Sequence, residues 1–232
     1  ISFKLETGQT LAIVGATGSG KTTLVSLIPR FYDATSGEVL IDGVNVKDYT
    51  FDALYNRLGY ITQKAVLFAG SVRDNVFFGQ SAEPETDETL SDALCLSQAA
   101  EFVGKYPEGA AHPIAQLGRN VSGGQKQRLC IARALARKPE ILVFDDSFSA
   151  LDYRTDATLR EGLARELPDT TKVIVAQRIS TIRHADQILV LDRGAAVGLG
   201  THDELMQTCE VYREIAMSQL SAAELAEGGN SK

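Results

Sequence analysis

The run Gly15-Ala16-Thr17-Gly18-Ser19-Gly20-Lys21-Thr22 carries the most specific chemistry in the sequence. A glycine, four residues and then Gly-Lys-Thr is the pattern of a P-loop. Its glycines let backbone N–H groups close around phosphate oxygens, and the helix that follows adds its positive N-terminal end. Lys21 is expected to reach the β- and γ-phosphates and the Thr22 hydroxyl to sit on Mg²⁺, with Thr23 in the same first turn. A second element, Ile141-Leu142-Val143-Phe144-Asp145, is an apolar strand ending in a carboxylate. At the carboxyl edge of a parallel sheet such an aspartate can hold Mg²⁺, usually through water. Alone that pattern is common; beside a P-loop it reads as a Walker B strand. The third element, Ser122-Gly123-Gly124-Gln125, opens a long helix whose first N–H groups are free, a second anion-binding surface. One chain has little use for two such surfaces around one nucleotide, unless the second serves the nucleotide of another subunit.

Strands and helices alternate around these motifs. Thr10–Val14 is a short β-branched run feeding the glycine loop, and Lys21–Phe31 reads as a helix. Glu38–Ile41 and Val44–Val46 flank Asp42-Gly43, a hairpin signal. Gly59–Thr62 is another short strand. Ile141–Phe144, Lys172–Ala176 and Gln187–Leu191 are nearly continuous apolar runs, as parallel strands covered on both faces require. Between Ser71 and Arg137 strand signals vanish, and helical stretches such as Glu88–Tyr106 and Gln125–Arg137 dominate. The expectation is an α/β fold in a single domain, residues 1–232. A core of mainly parallel sheet with a small antiparallel β part takes residues 1–67 and 138–217. Residues 68–137 form an inserted helical subdomain, and 218–232 a flexible tail.

Composition bounds the rest. The chain has 232 residues, 44% hydrophobic and 23% charged, which excludes disordered and fibrous classes. A net charge of −7 argues against nucleic acid held through overall charge. No apolar run approaches the ~18 residues of a membrane helix, and no signal peptide opens the chain, so it is not expected to cross a bilayer by itself. Cys95, Cys130 and Cys209 are scattered and read as reduced thiols, and His112, His184 and His202 lack the paired spacing of a zinc site.

Along almost its whole length the sequence resembles the nucleotide-binding domain of ATP-binding cassette (ABC) transporters, a P-loop NTPase. The resemblance rests on Gly15–Thr22, the signature Ser122–Gln125 and the strand ending at Asp145. Gln63, in Tyr60-Ile61-Thr62-Gln63, matches the Q-loop glutamine, a Mg²⁺ ligand with Thr22 and Asp145, and Ser149-Ala150-Leu151-Asp152 matches the D-loop. Leu67–Asn75 and Gln116–Asn120 look like the exporter branch. The resemblance implies ATP and Mg²⁺ as ligands and a head-to-tail dimer, with each ATP between the P-loop of one domain and the signature of the other. It also implies transmembrane domains as partners, at the cytoplasmic face of the cell membrane.

Two positions depart from the family pattern. Where a glutamate usually follows the Walker B aspartate to polarise the attacking water, this chain has Asp146. A carboxylate withdrawn by about one methylene can slow a reaction on the order of 100-fold. Where the family has a switch histidine, the chain has Gln177, which still donates a hydrogen bond but carries no charge. The signature is intact apart from Val121, where leucine is commoner. This asymmetry implies one member of a heterodimer. Its own site is degenerate, and its signature completes the active site of a partner that has a consensus catalytic set. Two other readings are a regulatory ATP clamp that hydrolyses nothing and a soluble ABC ATPase without a membrane partner. The aromatic that stacks on adenine in the family is expected upstream of Ile1, and Tyr32 and Tyr49 read as packing or surface residues.

Overall fold

The apolar runs read as strands form the middle of one six-stranded sheet in the computed structural model, which describes residues 1–79 and 82–219. The chain runs β1 (Thr10–Gly15), α1 (Lys21–Val25), a hairpin of β2 (Leu40–Ile41) and β3 (Val44–Asn45), α2 (Phe51–Arg57) and β4 (Leu58–Ile61). Next come β5 (Gly70–Ser71), α3 (Val72–Val76), α4 (Asp87–Leu96), α5 (Ala100–Val103), β6 (Pro113–Ile114) and α6 (Gly123–Leu135). The chain then returns to the sheet with β7 (Ile141–Asp145), α7 (Tyr153–Glu166), β8 (Thr171–Val175), α8 (Ile179–Ile182) and β9 (Gln187–Asp192). It ends with β10 (Ala195–Gly200), α9 (His202–Thr208) and α10 (Glu210–Gln219).

Strand order is β10-β9-β1-β8-β7-β4, parallel except for β10, which runs antiparallel to β9. In β1, Ala12 pairs with Ile174 on one side and Ile188 on the other. Alternate side chains then point to opposite faces. Leu11 and Ile13 pack with Val25 of α1 and Val143, whereas Ala12 and Val14 join the larger core with Leu129, Ile131 and Phe144. Both faces are covered, which is why these strands carry no polar alternation.

The structure differs from the sequence expectation at several places. The helix from Lys21 ends at Val25 and continues to Arg30 as tighter turns, with Ile28 N–H bonded to Val25 C=O and Arg30 N–H to Leu27 C=O. Pro29 has no amide hydrogen, and its ring would collide with the carbonyl four residues back. The stretch Glu88–Tyr106 is broken at Gln98, whose φ of 61° lies in the left-handed region, so α4 and α5 are separate. Strand does occur within residues 71–137: β5 and β6 pair antiparallel, Gly70 with Ile114 and Ser71 with Pro113. Ser218 and Gln219, assigned to the tail from sequence, close α10, and the remainder of that stretch lies outside the described residues. Among the described residues no helix is long and apolar enough to cross a membrane.

The helix α6 carries the Ser-Gly-Gly turn at its start and buries Leu129 and Ile131 completely. Truncating Leu129 to alanine removes the side chain that seats this helix on the sheet. We expect Leu129→Ala to lower unfolding free energy by about 2–5 kcal/mol in a urea titration, and a loss under about 1 kcal/mol would contradict that seating.

Candidate functional site

Parallel pairing brings the carboxyl ends of β1, β7 and β8 to one edge, and the loops leaving that edge hold Gly15–Thr23, Asp145, Asp146, Ser149–Asp152 and Gln177. Gly15 has φ 156°, and a Cβ there would lie 2.1 Å from the Leu191 carbonyl oxygen. Only glycine lets the loop start its turn so close to β9. Gly18 has φ 81° with nothing within 4 Å of where a Cβ would stand, so the top of the loop faces open space. The Lys21 ammonium folds back under this arch and donates to the carbonyls of Gly15 and Ala16, at 2.8 and 2.9 Å. Burial pulls its pKa below the ordinary lysine value, while the Asp146 and Asp145 carboxylates push it up. Ser19 is buried, and Ala16, Thr17 and Thr23 are exposed.

Thr22 Oγ1 donates to Asp145 Oδ1 at 2.9 Å, which joins the first turn of α1 to the end of β7. On the other Asp145 oxygen, Tyr60 OH donates at 3.3 Å. Burial first, and then the Asp145 charge, hold the Tyr60 phenol far above its ordinary pKa, so it stays a neutral donor. Tyr60 stands in the Q-loop run, but that motif assigns no role to its hydroxyl. It sits on β4, which neighbours β7 only through a crossover that single-sequence patterning cannot reveal.

Asp146 is the hub of the site. Its backbone has φ 49° and ψ 26°, a left-handed conformation that Asp tolerates better than most residues. Its N–H continues the β8 pairing by donating to Val175 C=O at 3.0 Å, and its C=O accepts from Ser149 Oγ at 2.7 Å. A single carboxylate oxygen, Oδ2, accepts from Gln63 Nε2 at 2.9 Å and from Gln177 Nε2 at 2.6 Å. The Q-loop glutamine, the residue after Asp145 and the switch position therefore form one hydrogen-bonded cluster. In this arrangement Gln63 is turned to Asp146, away from the Thr22–Asp145 pair.

The signature turn stands apart from this cluster. Ser122 caps α6, accepting from Gln125 N–H at 3.3 Å while the Gln125 side chain accepts from Ser122 N–H at 2.8 Å. A Cβ on Gly124 would lie 3.5 Å from Ala150 C=O, so the signature turn abuts the D-loop. Among the described residues no hydrogen bond joins Ser122–Gln125 to Gly15–Thr22. One turn further along α6, buried Gln127 donates to Thr62 C=O at 3.4 Å, beside Gln63. Near the end of α6, the Arg133 guanidinium donates to the Asn75 and Val66 carbonyls and lies over the Phe68 and Phe78 rings. Asp152 caps α7 by accepting from Thr155 N–H at 2.9 Å. Arg178, next to the switch position in Ala176-Gln177-Arg178, donates to the Leu151 and Ser149 carbonyls and lies over the Tyr153 ring. It ties the switch segment to the D-loop.

The groups at the sheet edge fit a magnesium nucleotide. Thr22 and Asp145 are hard oxygen donors of the kind Mg²⁺ prefers, and the glycine arch leaves room above Lys21. Tyr32 is exposed, and the Tyr49 hydroxyl is held between Ile41 C=O and Arg57.

A family model described as ABC transporter matches residues 1–149. The chain is 46% identical over 224 residues to an uncharacterized ABC transporter ATP-binding protein of Mycobacterium tuberculosis, covering 96% of this chain and 38% of that protein. It is 41% identical over 215 residues to a Bacillus subtilis protein named for multidrug export as an ATP-binding/permease protein, covering 93% of this chain and 37% of that one. Among solved structures it is similar to a bacterial Atm1-family ABC exporter with ATP bound, with a TM-score of 0.85 and 36% identity. That likeness covers 90% of this chain and 36% of the other. The chain therefore spans less than two fifths of the length of the relatives it matches.

Burial lifts the Asp146 carboxyl above its ordinary value of 3.8, although the amides of Gln177 and Gln63 pull it down. With the folded-state pKa raised, the cost of burying the charge is fully present above that pKa. It fades as pH falls through it and is absent below about 3.8. Asparagine keeps an acceptor for both amides and removes the charge. Asp146→Asn should raise Tm at pH 7, with the gain shrinking in acid. Thermal melts at pH 7 and pH 4 check this, and a gain that grew on acidification would contradict it.

Proposed function

The chain belongs to the ABC transporter ATP-binding family, and from that premise we propose that it is the ATP-binding domain of an exporter whose own site is degenerate. The domain binds ATP with Mg²⁺ and pairs head to tail with a second nucleotide-binding domain. Closure of that pair drives transmembrane domains at the cytoplasmic face of the membrane. The observation that carries the reading is the cluster on Asp146: the two residues that depart from the family pattern, Asp146 and Gln177, bond to each other at 2.6 Å.

The chain's own groups divide the work. The loop Gly15–Thr22 and Lys21 hold the phosphates; the lysine exchanges two neutral carbonyl partners for charged oxygens, which make stronger hydrogen bonds. Thr22 and Asp145 would hold Mg²⁺, which when bound neutralises charge on the phosphates, and Gln63 would turn from Asp146 to join them. Asp146 orients water poorly, because its carboxylate is short and its Oδ2 already serves two amides. Gln177 donates one neutral hydrogen bond where the family's histidine would add charge. The turn Ser122–Gln125, with Ser122 and Gly123 exposed, offers the N–H groups of Gly123 and Gly124 to the partner's nucleotide, and Ser149–Asp152 lies beside it at the dimer seam. A groove of about 1260 Å³ beside the Q-loop, with exposed Phe31, Phe68 and Phe78 on its walls, supports contact with the membrane-embedded partner.

A clamp that hydrolyses nothing is the second reading, favoured by the same two amides that bond Asp146 Oδ2. Single-turnover cleavage at this P-loop in the assembled transporter separates the two, since the clamp gives none.

Asp146→Glu with Gln177→His should raise hydrolysis at this site by on the order of 10–100-fold in the assembled transporter. Lys21→Ala should abolish nucleotide binding here, and Ser122→Ala should slow the partner's site while leaving ATP affinity at this P-loop unchanged. The reading is overturned if the 232-residue chain alone forms a fast-hydrolysing homodimer.

A further inference from the structure

The helix α8 begins at Ile179, two residues after the switch position, and Arg178 between them makes no side-chain cap. The acceptor for its first amide comes from the end of α10. Gln219 Oε1 takes the Ile179 N–H at 2.9 Å, and Gln219 Nε2 donates to the Gln177 carbonyl at 2.7 Å. One side-chain amide thus grips the backbone on both sides of Arg178, as donor and as acceptor at once. The base of this grip is firm: in α10 Tyr212 and Ala216 are fully buried, and Tyr212 OH meets His202 Nδ1 at 2.7 Å. From the gripped segment the Gln177 side chain reaches Asp146 Oδ2, and the Arg178 side chain reaches the D-loop carbonyls.

We propose that Gln219 is a positioning residue for Gln177, holding the switch backbone so that the Gln177 amide points at Asp146. It acts through Gln177 and touches no reacting atom. This rests on Gln177 being the switch position of the site under Proposed function, and it extends that site to the last turn of α10.

Amide hydrogen exchange and side-chain amide NMR on the 232-residue chain test it without requiring hydrolysis. In Gln219→Ala, exchange of the Ile179 amide should accelerate by on the order of fivefold, the worth of one hydrogen bond. The Gln177 side-chain amide signals, assigned by their loss in Gln177→Ala, should move toward those seen in Asp146→Ala, while Tm stays within about 2 °C. Gln219→Glu keeps the acceptor for Ile179 but puts a carboxylate against the Gln177 carbonyl. It should leave Ile179 protected and still shift the Gln177 signals. Unchanged Gln177 signals in both variants, or unchanged Ile179 exchange in Gln219→Ala, overturn the proposal. Failure of the wild-type chain to bind MgATP overturns the functional reading instead, and the spectra still decide the role of Gln219.

Discussion

Everything at this site depends on the parallel register of β1, β8 and β7. Parallel neighbours end at the same edge, so the loops after Gly15, Asp145 and Val175 leave the sheet side by side although they are far apart in sequence. The backbone bond from Asp146 N–H to Val175 C=O carries that register one residue past the end of β7. Shifting one strand by a single residue would send its side chains to the opposite covered face, setting Val143 or Ile174 among the wrong neighbours and withdrawing Asp145 from Thr22. The buried apolar side chains of these strands thus fix the carboxylates as firmly as any polar contact does.

On that platform the electrostatics balance closely. Lys21 stands against Asp145 and Asp146, two adjacent carboxylates that share one cation and four neutral donors: Thr22, Tyr60, Gln63 and Gln177. Each donor occupies a lone pair that would otherwise be buried unpaired, which is costly in a weakly polar interior. The same donors restrict what the carboxylates can do. An oxygen that accepts two amides has little left for a water molecule.

The legible part of the site was the part coded by contiguous residues. Gly15–Thr22, Ser122–Gln125 and the strand ending at Asp145 each carry their chemistry in a short run, because a loop or a helix start is a local structure. The alternation of apolar runs likewise revealed five strands of the sheet. What escaped were groups whose role depends on strand order or on a packed helix: Tyr60 on β4, Arg178 against the D-loop, Gln219 on α10. Strand β10 also escaped, since Ala-Ala-Val-Gly-Leu-Gly is a solvent-exposed edge with two glycines and a bulge. The helix from Lys21 was overestimated because its periodicity ran on through Pro29, whose ring forbids it.

The helix α6 makes a different kind of connection. At its first residues is the exposed Ser-Gly-Gly turn; near its last, Arg133 is clasped by the Val66 and Asn75 carbonyls and by two phenylalanine rings on the groove wall. Thirteen residues of α-helix make a rod of about 20 Å, stiff on the scale of the forces at either end. Mechanically it can be treated as a beam whose fulcrum is where Leu129 and Ile131 are buried. A tilt of about 10° around that fulcrum would sweep the tip through roughly 1.7 Å, about half a hydrogen-bond length. Leverage of that size would turn a small push at the groove into a displacement of the Ser-Gly-Gly turn at the far end of the helix.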